Sequence, residues 1–273
     1  MQRKPTHLRL LNTLAAIALV VIAVAPAVWL AAVAVSDPTV PLNRLPAPSQ
    51  ITADNFRGAW SAGGLLRPLI NSIVVTVVQA LLNVFLAAAA AYPLARMNFR
   101  GRDTIFVIIL ATLMIPEQVI IVPLFRTVVR MGLYDTLAGV VIPFAVTAFG
   151  IYLCRQAMMS IPKEMDEAAS IDGATSWQVF RHVMLPLSAP TLATLGVFSV
   201  IGAWSNLLWP LIVLQDQQNY TLPVALNQLL SVFSTNIRNA YAGSVLALIP
   251  MIFMYVVMQR WLQRGLLAGA VKG

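Results

Sequence analysis

Six stretches of this chain carry almost no charge: Leu10–Ser36, Pro68–Ala95, Thr104–Phe125, Thr136–Cys154, Leu187–Leu214 and Asn239–Gln259. Only the third holds an acid, Glu117. A bilayer core takes about 20 apolar residues per helical span. Backbone polar groups in lipid must be satisfied within the protein, so the runs read as helices rather than loops. The expected fold is all-α integral membrane, with six transmembrane helices.

Composition agrees. Hydrophobic residues make up 59% and charged residues 10% of the 273, against about 25% charged in ordinary soluble domains. The net charge of +8 is explained by topology rather than by nucleic acid. Lys and Arg collect in cytoplasmic segments. Twelve of the 18 fall in the N-terminus, the loop after helix two, the loop after helix four and the C-terminus. Both termini are therefore expected in the cytoplasm. The run Leu10–Ser36 exceeds the roughly 7–15 apolar residues of a secretory leader, so it reads as a retained first span. The expected divisions are a tail 1–9, a first helix 10–36, an external loop 37–67, a core 68–259 and a tail 260–273. Phe56 and Trp60 in the external loop read either as a docking surface or as residues seated in the membrane interface, where Trp is enriched.

The longest charge-dense piece lies between helices four and five, in Pro162–Pro190. Pro162 suits a first helical turn, and Glu164, Asp166 and Glu167 suit the positive end of the helix dipole. Gly173 is placed to end that helix in the left-handed conformation. Thr175 and Gln178 have the spacing of a capping box for a second helix, whose apolar stripe is Trp177, Phe180 and Met184. Pro186 and Pro190 restrict its continuation. The reading is helix, glycine elbow, helix.

Glu167-Ala168-Ala169, Asp172-Gly173-Ala174, Val183 and Leu185-Pro186 resemble the EAA loop of bacterial ABC-importer permeases of type I. From about Leu65 onward the chain resembles the permeases of carbohydrate-uptake ABC importers, the group typified by the smaller permease of the maltose transporter. Further matching pieces are Tyr92-Pro93-Leu94-Ala95-Arg96, Ile115-Pro116, Ile121-Val122-Pro123-Leu124, Trp209-Pro210-Leu211-Ile212 and the terminal Gly269-Ala270-Val271-Lys272-Gly273. One departure stands in helix five, where Ser205 occupies a position usually Asn, with Asn206 beside it.

The resemblance implies a bacterial plasma (inner) membrane subunit of a binding-protein-dependent sugar importer. It implies four kinds of partner besides lipid: a second homologous permease, a cytoplasmic ATPase dimer carrying ATP and Mg, an extracytoplasmic solute-binding protein and a sugar. It further implies that the loop is a coupling helix seated on the ATPase. Glu167, Ala168, Ala169, Ser170, Asp172, Gly173, Leu185 and Pro186 would form that coupling, and Lys272 and Gly273 a tail contact to the same subunit.

The residues themselves offer no catalytic machinery. No phosphate-binding Gly-x-x-x-x-Gly-Lys-[Ser/Thr] motif occurs, and the three lysines are Lys4, Lys163 and Lys272. A single cysteine, Cys154, and the widely separated His7 and His182 suggest no metal site and no cofactor held by this chain. Glu117 reads either as a partner for donors freed at a proline kink or as part of a translocation path. Trp204, Ser205, Asn206 and Trp209 combine aromatic and polar groups suited to a sugar, or alternatively serve interhelical packing. Two other readings stay open. One is the same architecture carrying glycerol-3-phosphate or a glycerophosphodiester, which the absence of basic residues from the expected spans disfavours. The other is a stand-alone channel or membrane scaffold.

Overall fold

The chain's first helix exposes apolar side chains from Leu14 to Trp29, as a lipid-facing span does. The computed structural model describes residues 6–61, 64–229 and 237–270, with side chains from 12 to 259 within those ranges. It divides into two compact units, Met1–Leu66 with Ala225–Ile249, and Arg67–Val224 with Pro250–Gly273.

In the first unit, α1 (Thr6–Ala34) contains the spanning stretch Asn12–Ala34. The loop expected to be irregular contains a helix, α2 (Asp54–Ser61), and an antiparallel bridge between Ser36 and Ile51. Asn55 explains the order: buried, it donates its Nδ2–H to Ala34 O at 3.0 Å and Ser36 O at 2.8 Å. Those carbonyls at the end of α1 lack intrahelical partners. Arg238 adds a bond from Nε to Ser36 Oγ at 3.1 Å and another to the Val40 carbonyl.

The second unit is built on α3 (Leu66–Arg96), the longest apolar span in it. Next come α4 (Arg102–Thr112) and α5 (Glu117–Arg130), which meet at 102°. The expected single interrupted span is therefore two helices turned sharply on each other. Pro116 supplies no N–H and holds extended backbone at the N-cap of α5, so helical pairing stops there. Arg126 and Arg130, which follow the third charge-free run, lie in the last turns of α5.

Helix four is also divided, into α6 (Leu137–Val141) and α7 (Ala148–Met159), with a 3-10 turn Ile142–Phe144 between them and a 44° bend. Arg155, expected to close this span, lies buried inside α7. Then follow α8 (Glu164–Ile171), α9 (Ser176–Val179), a π turn Phe180–Met184 and α10 (Leu185–Leu187). After a 76° bend come α11 (Ala189–Ser205) and α12 (Leu208–Val213). The expected fifth span is thus broken at Asn206–Leu207. Finally α13 (Leu222–Leu229) lies between the fifth and sixth charge-free runs, and α14 (Ile237–Ala270), whose residues up to Ile249 belong to the first unit, forms the sixth span, with an apolar stretch Ile237–Gln259.

Small side chains let these helices approach. Ala87, Ala88 and Ala91 on α3 are fully buried in one core with Phe106, Cys154, Met158, Phe180, Met184 and Leu195. Gly150 of α7 faces Ala87 and Asn83, where an added Cβ would stand 3.0 Å from both. Close approach through small residues is the usual basis of helix association in lipid. At the same level Asn83 links three helices. Its Nδ2 donates to Ser199 Oγ at 2.8 Å, and its Oδ1 accepts from Thr147 N at 3.0 Å. A second core gathers Val75, Val128, Val140, Val141, Trp209, Val213 and Leu214.

Candidate functional site

The loop after α7 forms as its sequence dictates. Gly173 has φ of +78°. Its N–H bonds Ser170 O at 3.1 Å, and the N–H of Ala174 reaches back to Ala169 O at 3.0 Å. This pair of bonds is the Schellman ending of a helix, with the glycine in the left-handed position. Ala169 and Ala174 also pack together on the core that contains Tyr92 and Phe180, the apolar contact that accompanies that motif. On the far side of the elbow, Thr175 Oγ1 accepts from Gln178 N at 3.3 Å, and Gln178 Oε1 accepts from Thr175 N at 2.7 Å. The capping box is complete.

The exposed face of this knuckle comprises Glu167, Ala168, Ser170, Asp172 and Gly173. Of the two alanines only Ala168 is outside, because Ala169 packs inward. Sequence reasoning missed Ile171, whose side chain is 87% exposed, and Met165, which is 45% exposed. Two apolar side chains are thus held outward on a charged helix. The signal was present in the residue type itself, an isoleucine among acids.

Leu185 is half-buried on the core and Pro186 is exposed. Pro186 has no N–H to give the carbonyl four residues back, and just before it the chain widens into the π turn, with Leu185 N bonding Phe180 O.

Behind the knuckle two arginines exchange bonds. Arg155 Nε, from α7, donates to Leu94 O on α3 at 3.0 Å. Arg96, at the end of α3, donates from an Nη to Ile161 O beyond α7 at 2.6 Å. Arg155 also lies 3.9 Å over the Phe106 ring, with an Nη 3.5 Å from Asp103 Oδ1. Arg96 Nε lies 3.2 Å from Asp166 Oδ2 on α8. Burial pushes the Asp166 carboxyl above its ordinary range, while Arg96 pulls it down and Glu167 adds to the rise. None of Arg96, Arg155 and Asp166 had been expected to act together.

The helix-five residues separate. Trp209 is fully buried, donating Nε1–H to Gly139 O at 3.1 Å and meeting Phe144 edge-on. Trp204 is also buried, beside an apolar cavity of about 50 Å³ lined by Met251, Met254 and Met258. Asn206 Oδ1 accepts from Trp209 N at 3.3 Å across the break. Ser205 is exposed and bonds its own helix, to Ile201 O at 2.7 Å. The aromatic pair thus belongs to the packing of this chain, and only Ser205 is fully open. Glu117 is exposed in the first turn of α5, where negative charge is favoured. Lys272 and Gly273 lie outside the described residues.

A long lipid-facing helix and spans broken at prolines define a polytopic membrane protein. The family model described as binding-protein-dependent transport system inner membrane component matches residues 83–267, and the chain belongs to that family: it is a permease of the ABC-transporter kind, not an enzyme. It is 35% identical over 227 residues to the arabinooligosaccharides transport system permease protein AraQ of Halalkalibacterium halodurans, covering 83% of this chain and 81% of that one. It is 33% identical to the trehalose transport system permease protein SugB of Mycobacterium tuberculosis over 99% of each chain. Another relative, the sn-glycerol-3-phosphate transport system permease protein UgpE of Rhizobium meliloti, is 34% identical over 84% of this chain and 82% of its own. In fold the chain resembles a solved bacterial ABC transporter involved in the import of the acidic polysaccharide alginate, with a TM-score of 0.81 at 24% identity. That match covers 95% of this chain and 99% of that one.

Proposed function

We propose that this chain is one membrane half of an ATP-driven importer of an oligosaccharide or disaccharide, working with a second permease, an ATPase pair and an external binding protein. The α8–Gly173–α9 knuckle faces the cytoplasm and docks on one ATPase subunit, which carries the ATP and Mg. Closure of the ATPase pair moves the knuckle and switches the cavity between the two sides, the rocking scheme common among transporters. Glu167 supplies the polar contact, Ala168 the close approach, and Ile171 and Met165 the apolar seat. The carrying observation is the rigid elbow, Schellman-closed on one side and box-capped on the other, that holds an exposed acid–apolar face outward.

The test is a detergent pull-down of the tagged chain, followed by ATPase assay with candidate sugars and the neighbouring binding protein. Recovery of an ATPase and a second permease, with turnover stimulated by one sugar, supports this reading. A stable complex without an ATPase returns the chain to the channel or scaffold class.

A second reading has one observation behind it. Arg126 and Arg130, four residues apart on α5, line a groove of about 300 Å³ with Val122, Pro123 and Thr127. Basic side chains therefore do stand in a helix of the membrane unit, and they suit an anionic cargo such as glycerol-3-phosphate, which the relative UgpE carries by name. Stimulation of the complex by a phosphorylated polyol instead of a neutral sugar, lost in Arg126→Gln, supports this alternative.

A further inference from the structure

The pair Arg96–Asp166 is placed where α3 ends and α8 begins its exposed face. The Arg96 side chain is only 5% exposed and that of Asp166 23%, so Arg96 lies out of reach of any docked partner. Through its Nη it holds Ile161, the residue leading into the knuckle, and through its charge it holds α8 itself. The charge contact is not a complete hydrogen bond: Arg96 Nε and Asp166 Oδ1 are both buried without a hydrogen-bond partner. Attraction between charges is non-directional and tolerates small shifts in angle. Removing either partner leaves the other buried and uncompensated. Around it, the rings of Tyr92 of α3 and Phe180 beyond α9 meet tilted, 5.2 Å apart, and Ala169 of α8 packs on the same core.

We infer that Arg96 and Asp166 form a tether that makes α8 and the adjacent end of α3 move as one body, so that displacement of the knuckle is delivered to the span instead of being absorbed in the loop. The inference rests on the coupling role proposed above. Arg96 is a positioning residue in this scheme. It touches neither the ATPase nor the cargo, and the loss of either charge uncouples the two while docking persists.

The experiment uses the full complex in proteoliposomes, comparing wild type with Arg96→Gln, Asp166→Asn and the double variant. The readout is cargo moved per ATP hydrolysed. Each single variant is expected to lower this ratio roughly ten-fold, within the range for residues in direct contact, and the double to fall no further. ATPase co-purification should be unchanged. Arg96→Lys, which keeps the cation, should retain most of the ratio. If the single losses multiply in the double, or the ratio stays at wild type, the tether is wrong. If Asp166→Asn releases the ATPase, Asp166 is a docking residue and the tether is again wrong. Hydrogen exchange on the permease alone gives a reading independent of the ATPase. Amides of α8 should exchange at least several-fold faster in both single variants, and unchanged exchange contradicts the tether. Failure of the wild-type chain to bind any ATPase, with that exchange difference intact, would overturn the coupling role and leave the tether standing.

Discussion

Arg155 donates its Nε–H to the carbonyl of Leu94 at 3.0 Å, so α7 closes the end of α3 with a charged donor. Two residues later α3 returns the bond through Arg96 and Ile161. Arg96 is the last residue of its span, whereas Arg155 lies inside α7. Leu94 O is one of the carbonyls that a helix end leaves unpaired, and Ile161 O lies just beyond the end of α7.

Arg155→Met should therefore destabilise the permease, not merely alter its surface. It removes a bond from a charged donor and a cation held 3.9 Å over the Phe106 ring. The expected loss is about 2–4 kcal/mol, measured as thermal unfolding in detergent. The contact with the exposed Asp103 carboxylate adds little, so Asp103→Asn should change the same measurement by less than about 1 kcal/mol.

At the elbow, backbone conformation and not space is limiting. Nothing stands within 4 Å of a Cβ at Gly173, but its φ is +78°. Gly173→Asn should retain most transport because asparagine tolerates the left-handed region. Gly173→Leu should distort the Schellman turn, at about 1–2 kcal/mol, and uncouple transport while membrane insertion stays intact. Transport assays of the two variants at equal expression check the order.

In helix five the variants should separate packing from passage. Trp209→Phe loses the bond to Gly139 O and should cost about 1–3 kcal/mol of stability, with the apparent affinity for cargo unchanged. Ser205→Ala removes only a bond within its own exposed turn, so any change in cargo affinity there, without loss of stability, places Ser205 on the path.

The opposite loop is tied by Asp135, which sits at φ 55° and accepts from the amides of Gln215 and Asp216 at 2.8 and 3.1 Å. Partial burial raises its pKa, but those bonds and Asn219 outweigh it and hold it below the ordinary carboxylate value. A lowered folded pKa means the stabilisation is present above the unfolded value, about 3.9, and is lost as pH falls through the folded one. Asp135→Asn should accordingly speed exchange of the Gln215 and Asp216 amides at neutral pH. In the wild type those amides should gain mobility only in strong acid.

Much of the architecture was legible in the chain. Long charge-free runs can only be solvated by lipid, and Gly173 with Thr175 and Gln178 spells an elbow through local backbone chemistry alone. What stayed hidden depends on neighbours. Pro93 and Pro250 sit inside helices that continue past them, whereas Pro116 heads a 102° turn. The same residue type gives both outcomes, because packing decides whether the freed backbone groups find partners. Arg155 within α7 required knowing that Leu94 and Phe106 would face it. Trp209 read equally as a sugar platform or as packing, and the bond from its indole N–H to a carbonyl 70 positions away was not visible in either reading. Asn55 in the first loop likewise pairs with carbonyls at the end of α1 that no local pattern announces.

The central claim is that the α8 face seats on an ATPase. Ile171→Cys tests it, since that side chain is 87% exposed and the native Cys154 is buried. A thiol-directed photo-crosslinker at position 171 should join the permease to its ATPase in membranes, while the same probe at Leu45, exposed in the first loop, should not. Equal yields at both positions, or no adduct at 171 in an actively transporting complex, would contradict the account.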